Sequence, residues 1–215
     1  MKRETVFDPI GEKDFIRKDL DNGIQGLQAG DIGLTDSVGA GFLDGILARG
    51  IKSVSRKRLG GSTRVLVHHA FMYFGSGKNE IVEAQSGGVK TAKIQSYMNK
   101  NSQFLIYRNK NLTVEQLAVL KDYMYGRVAK GIKYGYMDIV RFVLPFLPDN
   151  ESTDFCSEVC VAGYGKIKIK TSRRKAKDST PADMRHFFDS RAGQRAGWYC
   201  ADSYNIAKPR PIKYP

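Results

Sequence analysis

Two cysteines stand four residues apart in the segment DFCSEVC, Asp154 to Cys160, directly after the turn-like run PDNEST, Pro148 to Thr153. The spacing admits three chemistries: half of a metal site, one buried face of a helix, or a thiol activated at a helix start. Structural zinc favours tight pairs such as C-x2-C. The chain holds no such pair, and its three histidines are His68, His69 and His186. Neither a metal nor another cofactor is therefore expected. A helix start is different, because unpaired backbone N–H groups and the helix dipole stabilise an anion there, which is how proteins raise a cysteine's thiolate fraction. Ser152, Thr153 or Asp154 is the expected N-cap, which places Cys156 in the first turn. Cys160, one turn further, reads as a small core residue beside Val159 and Val161, and Cys200 lies in the tail without a recognisable context.

A reactive thiol needs a base, and the base needs an orienting group. The segment VLVHHAFMYFG reads as a strand carrying two adjacent histidines. Neighbours on a strand point to opposite faces, so only one of them serves a given site. Glu83 falls on the next strand, and hairpin pairing can bring it onto the face of His69. The resulting set is Cys156 as nucleophile, His69 as general base and Glu83 as orienter. The same residues admit a plainer reading, a core cysteine, a structural histidine and a solvated glutamate. Spacing alone leaves both readings open.

These side chains require a scaffold of helices and strands. LQAGDIGLT carries a turn at Ala29, Gly30 and Asp31 leading into a short strand. Phe42, Leu43, Ile46, Leu47, Ile51 and Val54 recur at helical spacing. TRVLVHHAFMYFG and EIVEAQ, joined through SGKN, form a hairpin, and QFLIYR adds a strand. Thr113 with Gln116 forms a capping box for a helix presenting Leu117, Leu120, Met124 and Val128, with Gly131 past its end. Tyr134, Tyr136, Ile139, Phe142 and Val143 suggest a second helical segment. The Cys156 helix is expected to run to about Ala162 and to stop at Gly163 or Gly165. KIKIK alternates with period two and predicts an edge strand with Ile167 and Ile169 facing inward. Thr180, Pro181 and Asp183 mark a further helix start. The pattern is that of a single α+β domain over residues 1–215, with 1–26 as an N-terminal extension and about 190–215 as a C-terminal tail.

Composition bounds the partners. The chain has 215 residues, with 35 Lys+Arg against 22 Asp+Glu, so its net charge is 35 − 22 = +13. Such a surface attracts polyanions. An odd cysteine count, three, argues against a disulfide framework. The N-terminal MKRETVFDPIGEKDF has no apolar core, so no secretory signal is expected, and IVRFVLPFLP is too short and interrupted to span a bilayer. A soluble protein, cytoplasmic as made, is the expectation.

Several segments, in the order AGDIGLT, HHAFMYFG, EIVEAQSGGVK, YGY and DFCSEVCVAGY, together resemble the NlpC-type papain-like cell-wall peptidases. They resemble specifically the circularly permuted, YiiX-like branch, in which the histidine strand precedes the cysteine helix. The resemblance implies a papain-like fold, a small antiparallel sheet packed against helices. It selects His69 over His68 and assigns Glu83 and Cys156 the remaining polar positions. It implies a thiol hydrolase that cleaves amide bonds, for example in peptidoglycan peptides, by an acyl-enzyme route without a metal. The backbone N–H of Cys156 would be one oxyanion donor; the second is unassigned, with Tyr134 and Tyr136 read first as core residues and second as donors. The family's range, with the missing signal, suggests delivery on a phage particle or as an effector, reaching the cell wall or the virion. Where this chain departs is in His68, which occupies a position usually held by a small polar residue, and in the basic Ser53–Arg64 segment.

The stretch Lys166 to Lys177 contains no acid, and Lys166, Lys168, Lys170, Arg173, Arg174 and Lys175 suggest either a solvated edge or an anionic-polymer footprint. Two rival functions follow from these features: a lipid- or thioester-directed acyl hydrolase or transferase on the same fold, and a basic virion or nucleic-acid-binding protein with an unused site.

Overall fold

The computed structural model describes residues 27–35, 67–75, 80–97, 103–136 and 153–205, with the odd-numbered positions from 49 to 59. Among them the fold is α+β, built on a six-stranded antiparallel sheet. Its strands are β1 (Ile32–Thr35), β2 (His69–Tyr73), β3 (Glu80–Gln85), β4 (Gly88–Lys93), β5 (Gln103–Asn109) and β8 (Trp198–Asn205). Their order across the sheet is β4-β3-β2-β1-β5-β8. Two short strands, β6 (Lys133–Tyr134) and β7 (Thr153–Asp154), pair in parallel beside it. The helices are α1 (Val114–Ala129), α2 (Cys156–Lys166), α3 (Pro181–Phe188) and α4 (Arg191–Arg195).

Strand alternation divides the sheet into two apolar faces. Ile32, Leu34, Ala70, Met72, Val82, Ala84, Leu105 and Tyr107 form one, packed with Leu120 and Met124 of α1, Val159, Cys160 and Tyr164 of α2 and Phe187 and Phe188 of α3. Phe71, Tyr73, Ile81 and Ile106 form the other, covered by Ile94 and Tyr97 from a 3-10 turn, Ile94–Tyr97, that follows β4. Gly33 is required for this second face. A Cβ there would lie 2.0 Å from the Phe71 ring, which crosses β1 at the paired position.

The turn at Ala29–Gly30 leads into β1 as expected, with Gly30 at φ 95°. The Thr113–Gln116 capping box opens α1, and Gly131 lies past its end at φ 61°. Thr180 caps α3 through Asp183, with Pro181 in the first turn. Helical backbone occurs at Arg49, Ile51, Ser53, Ser55 and Lys57. The rest of that expected helix, the SGKN turn, the start of TRVLVHHAFMYFG and Ile139, Phe142 and Val143 lie outside the described residues.

Several expectations are corrected. Tyr134 belongs to β6 rather than to a helix. The N-cap of α2 is Phe155, not Ser152, Thr153 or Asp154, since Thr153 and Asp154 are drawn into β7. The helix also runs on to Lys166, through both glycines. At Gly163 a Cβ would stand 3.1 Å from the Leu120 side chain, so this glycine serves close α1–α2 packing rather than termination. KIKIK is not a strand. Lys168 takes φ 60°, its N–H bonds the Gly165 carbonyl (3.1 Å), and the Ile169 N–H bonds the Tyr164 carbonyl (3.1 Å), the paired hydrogen bonds of a Schellman helix end. Ile167 is still buried and Ile169 packs on the core, as the alternation suggested.

Two strands of the six-stranded sheet also escaped the sequence reading. β4 returns from β3 through the two-residue loop Ser86–Gly87, and β8 lies beside β5 where a tail was expected. Trp198 anchors β8. Its ring packs 4.3 Å from that of Phe188 and 5.0 Å from that of Tyr164, and its indole N–H donates to the Lys170 carbonyl at 2.8 Å. No helix among the described residues is long and apolar enough to cross a membrane.

Candidate functional site

Cys156 is the first residue of α2, where the backbone N–H groups have no intrahelical acceptors. The segment leading into it is fixed from two sides. Tyr134 of β6 pairs with Asp154 of β7, and the Gly135 N–H donates to the Asp154 carbonyl at 2.9 Å. The Asp154 carboxylate receives both ends of the Arg127 guanidinium from α1, each at 2.6 Å, a bidentate geometry stronger and more directional than a single contact. After the thiol, buried Ser157 donates to the Ser179 carbonyl at 2.6 Å, tying the first turn of α2 to the approach to α3.

His69 opens β2 and pairs with Thr35 of β1. Its side chain shares a face with Phe71, and Phe71 pairs with Glu83 of β3, so His69 and Glu83 are diagonal neighbours on that face. The imidazole Nε2 lies 2.8 Å from Glu83 Oε2, with both residues buried. The ring's other neighbour is the Cys156 side chain, which interacts with it electrostatically. With Nε2 directed at Glu83, Nδ1 is the nitrogen left for the thiol. The Cys156 sulfur also lies 3.9 Å from the carbonyl oxygen of His68. His68 thus meets the thiol through its backbone, while His69 meets it through its ring.

Burial by itself disfavours a charged His69. The hydrogen bonds to Cys156 and Glu83 and the negative charge of those two groups outweigh it, and the imidazole is pushed up to about 10. Cys160 goes the opposite way from reactivity. Burial first, then the charges of Cys156, Glu83 and Asp154, hold its thiol well above the ordinary range, in keeping with a packing role.

The structure therefore gathers Cys156, His69 and Glu83 from three elements that are far apart in sequence, and leaves Cys160 in the core behind them. It adds Tyr97, which sequence reasoning missed. The Tyr97 hydroxyl donates to Glu83 Oε2, accepts from the Gln85 side-chain amide and lies 3.0 Å from His69 Nε2. Its ring stacks on the imidazole with centroids 5.4 Å apart and planes 17° apart. The available signal was the Ser86–Gly87 pair between EIVEAQ and GVKTAK, a hairpin loop that returns the chain across Glu83 and delivers Tyr97 one strand later.

Tyr136 donates its hydroxyl to the Ser86 carbonyl at 3.1 Å, and Tyr134 packs with Ile51 and Phe155. Among the described residues no group of three or more His, Cys, Asp or Glu is arranged to hold a metal ion. The basic residues Lys166, Lys168, Lys170, Arg173, Arg174 and Lys175 are exposed, with Arg174 Nε 3.4 Å from Asp183 and Lys166 over the Tyr123 ring.

Cys200, on β8, is partly buried against the core. Comparison with protein-family models, with curated proteins and with solved structures yields no match to this chain.

Proposed function

We propose that the protein is a cysteine hydrolase of amide bonds, with Cys156 as nucleophile, His69 as general acid and base and Glu83 as the group that orients His69. The observation that carries this reading is the position of one buried imidazole, 2.8 Å from Glu83 and electrostatically coupled to the Cys156 thiol. That is the nucleophile–base–orienter relation required to activate a weak nucleophile.

The chemistry follows from the contacts. The Cys156 thiolate attacks the substrate carbonyl, and the backbone N–H at the start of α2 donates to the developing oxyanion. The His69 imidazolium gives its proton to the departing amine nitrogen as the carbon–nitrogen bond breaks, leaving an acyl-thioester on Cys156. His69, now neutral, takes a proton from water, whose oxygen attacks the thioester; the sulfur leaves as thiolate and the acid product is released. Glu83, 2.8 Å from Nε2, holds the ring in one orientation.

The fold belonging to this reading is the circularly permuted papain-like one, in which the histidine strand precedes the cysteine helix, as β2 precedes α2 here. The substrate class we assign is a peptidoglycan peptide. Exposed lysines and arginines between Lys166 and Lys175 would draw the enzyme to an anionic wall polymer.

A substrate panel tests the class. Purified peptidoglycan and an acyl-lipid thioester are each incubated with wild type and with Cys156→Ala. Cys156-dependent release of new amino groups from peptidoglycan is the expected result. Release of fatty acid alone, dependent on Cys156, would overturn the peptide assignment.

A further inference from the structure

Glu83 Oε2 is shared by two groups. One is the N–H at Nε2 of His69, at 2.8 Å; the other is the hydroxyl of Tyr97. A phenol has one proton and two lone pairs. The Tyr97 proton goes to Glu83, and its oxygen accepts from the Gln85 amide while lying 3.0 Å from His69 Nε2. The result is a directed chain, Gln85 to Tyr97 to Glu83, meeting His69 at the same carboxylate oxygen. The ring of Tyr97 stacks against both the imidazole and the Phe71 ring, at centroid distances of 5.4 and 5.6 Å. Tyr97 is 3% exposed, so this chain is shielded from water, where hydrogen bonds to a charged group carry more weight. Among the described residues, the titratable groups facing His69 are Cys156 on α2, Glu83 on β3 and Tyr97 on the turn after β4.

We propose that Tyr97 is a positioning residue that takes a share of the Glu83 carboxylate and so limits how tightly Glu83 holds the His69 imidazolium. The inference rests on the hydrolase reading for its consequence but not for its test. A carboxylate that binds an imidazolium without competition orients it well and makes it a poor acid. Sharing the oxygen with a phenol keeps the orientation and weakens the grip, so that the proton is given up more readily to a leaving amine. Gln85 reinforces the effect, since a phenol that accepts a hydrogen bond is a better donor.

The test is a proton NMR titration of the histidine ring signals in the full chain without substrate. The chain has three histidines, so each signal is assigned with a single His→Gln variant. Tyr97→Phe keeps the stacked ring and removes the hydroxyl. The His69 midpoint is expected to move to higher pH in Tyr97→Phe, and by less in Gln85→Leu, which also serves if Tyr97→Phe does not fold. Midpoints unchanged from wild type, or moved down, would overturn the proposal. Against a substrate cleaved by the wild type, Tyr97→Phe should lower kcat about tenfold with KM held, the mark of an impaired proton transfer. If the wild type cleaves nothing, the hydrolase reading fails while the NMR result still decides the role of Tyr97.

Discussion

The Nε2 atom of His69 and the Oε2 atom of Glu83 lie 2.8 Å apart, on adjacent strands, with Glu83 1% exposed and His69 8% exposed. A carboxylate so placed fixes which imidazole nitrogen faces the thiol. Glu83→Gln keeps the shape and removes the charge. It is expected to lower kcat by about a hundredfold or more, a loss within the range of general acid–base catalysis, with unchanged far-UV circular dichroism. Near-full activity would show that His69 needs no anionic partner.

The elevated His69 group has a consequence for stability. Its folded midpoint, about 10, lies above the ordinary 6.5, so the folded state holds the proton more tightly. The stabilisation is fully present below pH 6.5 and is lost as pH rises through about 10. Urea midpoints of wild type and His69→Gln are therefore expected to differ most in acid and to converge as the pH approaches 10. A gap that widens with rising pH would contradict this.

Arg127 and Asp154 couple α1 to the strand that enters the cysteine helix, with the guanidinium 21% and the carboxylate 5% exposed. Replacing Arg127 by Met removes the bidentate guanidinium from a buried carboxylate. The expected loss is about 3 kcal/mol of unfolding free energy by urea denaturation. Slower alkylation of Cys156 should accompany it, because the start of α2 is no longer held.

At Lys168 the backbone adopts φ 60°, a conformation that suits glycine at a helix end. Lys168→Gly is expected to raise stability by about 1 kcal/mol, measured by denaturant unfolding. The rate of Cys156 alkylation should be unaffected, since the residue sits at the opposite end of α2 from Cys156.

Much of the scaffold could be read from local signals. Thr113 with Gln116, and Thr180 with Asp183, declare their helices through side chains only three residues away. Cys156, His69 and Glu83 could be singled out because each lies in a locally recognisable element, and hairpin geometry already linked two of them. What could not be read depends on distant partners. KIKIK has the period of a strand, but the left-handed Lys168 makes it a helix end. Gly163 looks like a stop signal until Leu120 is packed against it. β8 carries no alternating pattern of its own and is held by the contacts of Trp198 with Phe188 and Tyr164. Tyr97 belongs to the site only because β4 folds back beside β3, so nothing in its immediate neighbours marks it.

The most direct measurement is intact-protein and peptide mass spectrometry after incubation with purified peptidoglycan and rapid acid quenching, alongside analysis of the released fragments. The expected result is an acyl adduct located on the peptide containing Cys156 in the wild type, with a set of fragments that Cys156→Ala does not produce. No adduct on Cys156, together with identical fragments from both proteins, would contradict the proposed hydrolase.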